Sequence, residues 1–128
     1  MRAGTEGRDV RAVLRGLAEA EGVRGALLVA PDGLVIASAL PAEIGVEALS
    51  ALTATLGREV ELRAGLPRHG AFVAARFAAE TGTMVLGATA IGFLVVFADG
   101  PPHATRLTDD VRTAAAILER AWRGPASA

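Results

Sequence analysis

A Pro31-Asp32-Gly33 triplet separates two short apolar runs, residues 25–30 and 34–38, and no other stretch constrains the fold as strongly. Proline presets the first turn dihedral, aspartate tolerates the second position, and glycine supplies a left-handed exit. The spacing predicts a β-hairpin with a three-residue loop and a glycine bulge. Asp32 is therefore read as a turn residue, not as an acid or a ligand. An isolated hairpin is marginal in water, so the rest of the chain must supply strands and helices to cover it.

The flanking segments do so. Val10, Val13, Leu14, Leu17 and Ala18 recur at helical spacing, with Arg11, Arg15 and Glu19 on the other side. Asp9 is the expected cap of this helix and Gly22 its left-handed terminator. A second helix is expected to open at residues 41–44 and run to Ala64, with Leu49, Leu52, Leu56 and Val60 as its apolar stripe. Residues 71–79 have strand character, with Val73, Ala75 and Phe77 on one face and Phe72, Ala74 and Arg76 on the other. A Thr81-Gly82 turn leads to a strand over residues 83–88. A tight Thr89-Ala90 connection then leads to a nearly continuous apolar strand over residues 91–98, expected at the sheet centre. Thr108 is the expected cap of the last helix, with Asp109 and Asp110 in its first turn. Val111, Ala114, Ala115, Leu118 and Trp122 form its core side.

The order is α-β-β-α-β-β-β-α. Strand connections without a helix are short, so an α/β fold of the α+β kind follows, a five-stranded antiparallel sheet sandwiched between helices. One domain is expected over residues 8–123, with flexible termini at 1–7 and 124–128. Residues 81–98 carry no charge and reach the length of a membrane span, but three glycines, three threonines and many β-branched residues suit paired strands better. With no secretory signal at the start, the expectation is a cytoplasmic protein without membrane insertion.

Composition narrows the chemistry. The chain has no Cys and no Lys, all 13 basic residues are Arg, and the net charge is −1. Thiol nucleophiles, Cys-ligated metals, Schiff-base lysines and phosphate-loop lysines are excluded. A dedicated nucleic-acid binder would be strongly basic. Residues 87–92 (Gly-Ala-Thr-Ala-Ile-Gly) have the glycine spacing of a phosphate loop, but Phe93 and Leu94 stand where Lys and Ser or Thr are required. His69 and His103 sit in separate loops without metal-ligand spacing. The carboxylate pairs Glu59/Glu61 and Asp109/Asp110 are accounted for by helix ends, and no serine lies in a nucleophile elbow. No enzyme activity, cofactor or metal is expected.

The second helix carries the functional signal. Residues 48–57 contain no charge, and besides leucine they are Ala, Ser, Thr or Gly. A helix covering one side of a monomer presents charge outward. Small residues there suit a helix covered on both sides, by its own sheet and by a partner, which marks Ala48, Ala51, Leu52 and Thr55 as interface residues.

The stretch of residues 14–38, LRGLAEAEGVRGALLVAPDGLVIAS, resembles the opening of roadblock domains of the dynein light chain type. There a helix ends in Gly-Val, a strand follows, and an Asp-Gly hairpin leads into a Leu-Val-Ile-Ala-Ser strand. The resemblance extends over the element order of residues 8–123. It implies a five-stranded sheet with the second helix on one face and the terminal helices on the other. It also implies a homodimer that pairs second helices and third strands, adding Phe72, Ala74 and Arg76 to the interface. Bacterial members are often partners of small Ras-like GTPases, which makes Thr53, Ala54 and Arg58 the candidate partner-binding residues. The family has no catalytic or cofactor residues to carry over. The resemblance thus implies a non-enzymatic scaffold or regulatory module. The alternative is a ligand-sensing domain with a pocket between sheet and helix, which would need inward polar groups to orient its ligand.

Overall fold

The computed structural model describes residues 2–64, 72–99 and 104–123, with side chains described over 10–63, 72–99 and 106–120. In chain order the elements are α1 (Arg2–Ala18), β1 (Val23–Val29), β2 (Val35–Ala39), α2 (Val46–Ala64), β3 (Ala74–Ala78), β4 (Gly82–Thr89), β5 (Gly92–Asp99) and α3 (Ala104–Arg123). The strands form one sheet in the order β2-β1-β5-β4-β3. Every neighbouring pair is antiparallel.

The loop chemistry acts as expected. The Gly33 amide donates to the Ala30 carbonyl and the Ala30 amide to the Leu34 carbonyl. Gly33 adopts φ 97°, and Asp32 Oδ1 accepts from the Leu34 amide at 3.1 Å. Asp32 is thus occupied as a turn residue. Gly22, at φ 81°, turns the chain out of α1. Residues 81–98 fold mainly as the β4–β5 hairpin, and among the described residues no helix is long and apolar enough to cross a membrane.

Alternation along the central strands builds two cores. Ala26, Leu28, Val85, Leu94 and Val96 face α1 and α3, where they meet Leu14, Val111 and Leu118. Leu27, Val29, Leu86, Phe93 and Val95 face α2. β5 is central and apolar on both faces because both faces are covered. Each fully buried Leu or Val on these strands contributes about 1.5–3 kcal/mol of transfer free energy.

Both terminal helices start earlier than the cap residues suggest. α1 begins at Arg2, so Asp9 lies inside it, and α3 begins at Ala104, so Thr108, Asp109 and Asp110 lie inside it and not in its first turn. α2 instead starts later, at Val46, after a turn in which the Ile44 amide bonds the Pro41 carbonyl. The side chain of Trp122, the loop of residues 65–70 and His69 and His103 lie outside what the structure describes.

Candidate interaction surface

α2 lies over β5, β1 and β4. Its buried row is Ser50, Thr53, Ala54 and Gly57, flanked by half-buried Val46, Leu49, Leu56 and Val60. Of the expected Leu49–Leu52–Leu56–Val60 stripe, Leu49, Leu56 and Val60 pack at the margins of this row and only Leu52 turns outward. The physical reason is closeness. A Cβ on Gly57 would stand 2.5 Å from the Phe93 ring, so only a row of small residues lets the helix reach the sheet. Leu52, which the sequence placed both in the stripe and among the interface residues, is 51% exposed and so lies on the outer face.

Thr53 and Ala54 are each only 1% exposed, pressed between helix and sheet. Contrary to the expectation from the sequence, neither side chain is presented to a partner. The Thr53 hydroxyl has no hydrogen-bond partner among the described residues, whereas the Ser50 hydroxyl donates to the Glu47 carbonyl. Arg58 is exposed, and its guanidinium donates to the Pro31 carbonyl, tying α2 to the β1–β2 loop.

The outer face of α2 gathers Ala48, Ala51, Leu52 and Thr55, all exposed. Leu62 extends this face and is 70% exposed. The sequence reading missed it, although the signal was present: residues 48, 52, 55, 59 and 62 step by four and three along one helix face. Past residue 55 the face acquires charge, with Glu59 and Arg63 paired at 2.9 Å.

The residues expected at the third strand separate. Arg76 is exposed and Ala74 half-buried on β3, a sheet edge. Phe72 precedes β3 and is 8% exposed in the α2-side core. It shares that core with Ala75 and Phe77, because the strand alternation begins only at Ala74. Phe72 is corrected from the Ala74/Arg76 face to the core of its own subunit.

Beyond α2 the sheet keeps apolar surface in the open. Phe77, Met84 and Phe97 are half-buried on the α2 side, and with Ile44 they line a groove of about 460 Å³. Arg24 and Asp99 stand at its rim, 3.7 Å apart and both more than half exposed, a pair worth about 0–1 kcal/mol. One molecule thus carries an uncharged outer helix face and, on the same side of the sheet, an incompletely covered apolar floor.

Sheet order, helix placement and the hairpin together define a roadblock-type fold. The protein is similar in structure to MglB from Myxococcus xanthus, at TM-score 0.80 and 21% identity, with 91% of this chain and 90% of that chain covered. It is similar to the gliding protein MglB from Thermus thermophilus, at TM-score 0.74 and 21% identity with the same coverage. A Roadblock/LC7 domain from Streptomyces avermitilis matches at TM-score 0.68 and 18% identity, over 82% of this chain and 90% of that one. No protein-family model and no curated protein matches the sequence. The expected fold is borne out, including the helices on both sheet faces.

Proposed function

We propose that this protein is a non-enzymatic, homodimeric roadblock module that acts in the cytoplasm by binding or regulating a small Ras-like GTPase. The observation that carries the reading is the outer face of α2, uncharged from Ala48 to Thr55 and continued by Leu62. An exposed face of that composition fits burial against a second copy, and β3 offers an edge at which two sheets join. Ala48, Ala51, Leu52, Thr55, Ala74 and Arg76 form the proposed dimer contact. The GTPase partner is supported by the likeness to MglB structures and by the resemblance of residues 14–38, and Arg58, exposed on α2, is the proposed partner-facing residue.

Light scattering on the full chain at micromolar concentration tests the assembly. The expected mass is twice 13.0 kDa, falling to one chain in Ala51→Arg or Thr55→Arg with an unchanged circular dichroism spectrum. A monomeric wild type removes the dimer. Titration of a purified Ras-like GTPase, loaded with GTP, tests the partner, with binding or altered hydrolysis as the expected outcome. Absence of both across candidate GTPases removes that part.

A ligand-sensing role has one observation in its favour, the groove beside Ile44. Its floor is Phe77, Met84 and Phe97, a surface suited to covering by apolar side chains and short of groups that would orient a small polar ligand.

A further inference from the structure

β2 closes the sheet on the side opposite β3, and no element pairs with its outer edge among the described residues. The Ala30–Leu34 hydrogen bond sets the alternation of the ladder. Val35, opposite Val29, and Ser38, opposite Leu27, therefore occupy non-bonded pairs with β1 and turn their backbone N–H and C=O groups outward. Exposed edges are normally guarded by a charged side chain or proline within the strand. Residues 33–40 contain neither.

The charge lies beside the edge instead. Arg11 and Arg15 of α1 line one open cleft, about 420 Å³, together with all five residues of β2. Both arginines are exposed, neither side chain has an ion pair or hydrogen bond among the described residues, and no described carboxylate lines the cleft. One helical turn places them about 6 Å apart along α1. Alternate residues of a β-strand are about 6.7 Å apart, close to that spacing.

We propose that β2 is a docking edge for a short, extended, acidic segment of a partner protein, which adds as a sixth strand and sets two carboxylates, two residues apart, beside Arg11 and Arg15. Backbone pairing to Val35 and Ser38 supplies the affinity, and the arginines select acidic sequences. The five-residue length of β2 and the bulge opposite Leu28/Val29 limit the docked segment to a few residues. A second copy of this chain does not suit the edge, because pairing β2 with β2 brings four arginines together. The site lies at the edge opposite β3 and does not depend on the proposed dimer.

The probe is a capped octapeptide of alternating Glu and Val, titrated into the full-length ¹⁵N-labelled protein, with a Lys/Val peptide as control. Amide shifts are expected in β2 and around Arg11 and Arg15, with none from the Lys peptide. The double variant Arg11→Glu/Arg15→Glu is expected to weaken binding about tenfold, the effect of two exposed ion pairs. Ser38→Pro removes an outward N–H without touching a β1 hydrogen bond, and is expected to weaken binding while the Arg variant retains native spectra. Wild-type affinity in both variants, or shifts centred on β3, overturns the proposal. Displacement by inorganic tripolyphosphate with Ser38→Pro unaffected also overturns it, since the arginines would then be an anion site without strand addition.

Discussion

Gly57 sets how closely α2 approaches the sheet. A methyl group there would stand 2.5 Å from the Phe93 ring, and that ring is buried. Gly57→Ala gains about 1 kcal/mol in helix propensity but overpacks a filled contact at a cost of about 1–3 kcal/mol. Urea unfolding is expected to show net destabilisation of about 1 kcal/mol. Gly16 is the control: it lies in α1 with nothing within 4 Å of where a methyl group would stand, so Gly16→Ala is expected to stabilise by about 0.5–1 kcal/mol. Stabilisation by both changes would mean that α2 does not rest on Phe93. The contrast also shows why Thr53 and Ala54 were misplaced by pattern reading. Hydropathy assigns the largest apolar residues to the core, whereas a helix in close contact with a sheet buries its smallest ones.

At the scale of elements, the β4–β5 hairpin couples local turn chemistry to the middle of the sheet. Thr89 Oγ1 accepts from the Ile91 and Gly92 amides at 3.2 and 3.0 Å and donates to the Gly92 carbonyl at 2.9 Å. Gly92 has φ 153°, and a Cβ on it would lie 2.0 Å from the Val29 carbonyl oxygen. Thr89→Ala is expected to cost about 1 kcal/mol, while Gly92→Ala, which must displace β1, should cost about 3 kcal/mol or more. Hydrogen exchange of β1 and β5 amides separates the two, since only Gly92→Ala should loosen both strands. Hairpins of this kind were legible in the sequence because turn residues and strand alternation are local signals. The helix starts were less so. Asp9 and Thr108 are good caps by type, yet other residues start α1 and α3. For α3, Pro101-Pro102 lie ahead of the first helical position at which proline is favoured, so Thr108 was the strongest start signal by type. For α1 no signal marked the earlier start, because residues 2–8 hold two glycines and no apolar period. The interaction surface was half legible. Missing charge marked α2 and its exposed residues Ala48, Ala51, Leu52 and Thr55 for the proposed interface, whereas the close approach of Gly57 to Phe93 is visible only in the packing.

At the scale of the whole molecule, the proposed dimer through α2 and β3 would couple folding to association. Mass action then stabilises the folded state as concentration rises, by about 1.4 kcal/mol per tenfold for each dimer. Raising the concentration from about 1 to about 100 μM adds about 1.4 kcal/mol per subunit. For a chain of 128 residues that corresponds to an increase in Tm of about 5 °C. Because a two-fold interface repeats each residue, Thr55→Arg sets two like charges against each other, and its Tm is expected to be independent of concentration. Its Tm should also match that of the dilute wild type, since Thr55 is exposed on its own subunit. Calorimetry across the concentration series reads both. A wild-type Tm that does not move, while light scattering still reports a dimer, would place the contact among chains that unfold without separating. Parallel curves for wild type and Thr55→Arg would instead move the interface off α2, leaving the groove floor of Phe77, Met84 and Phe97 as the apolar surface that association must cover.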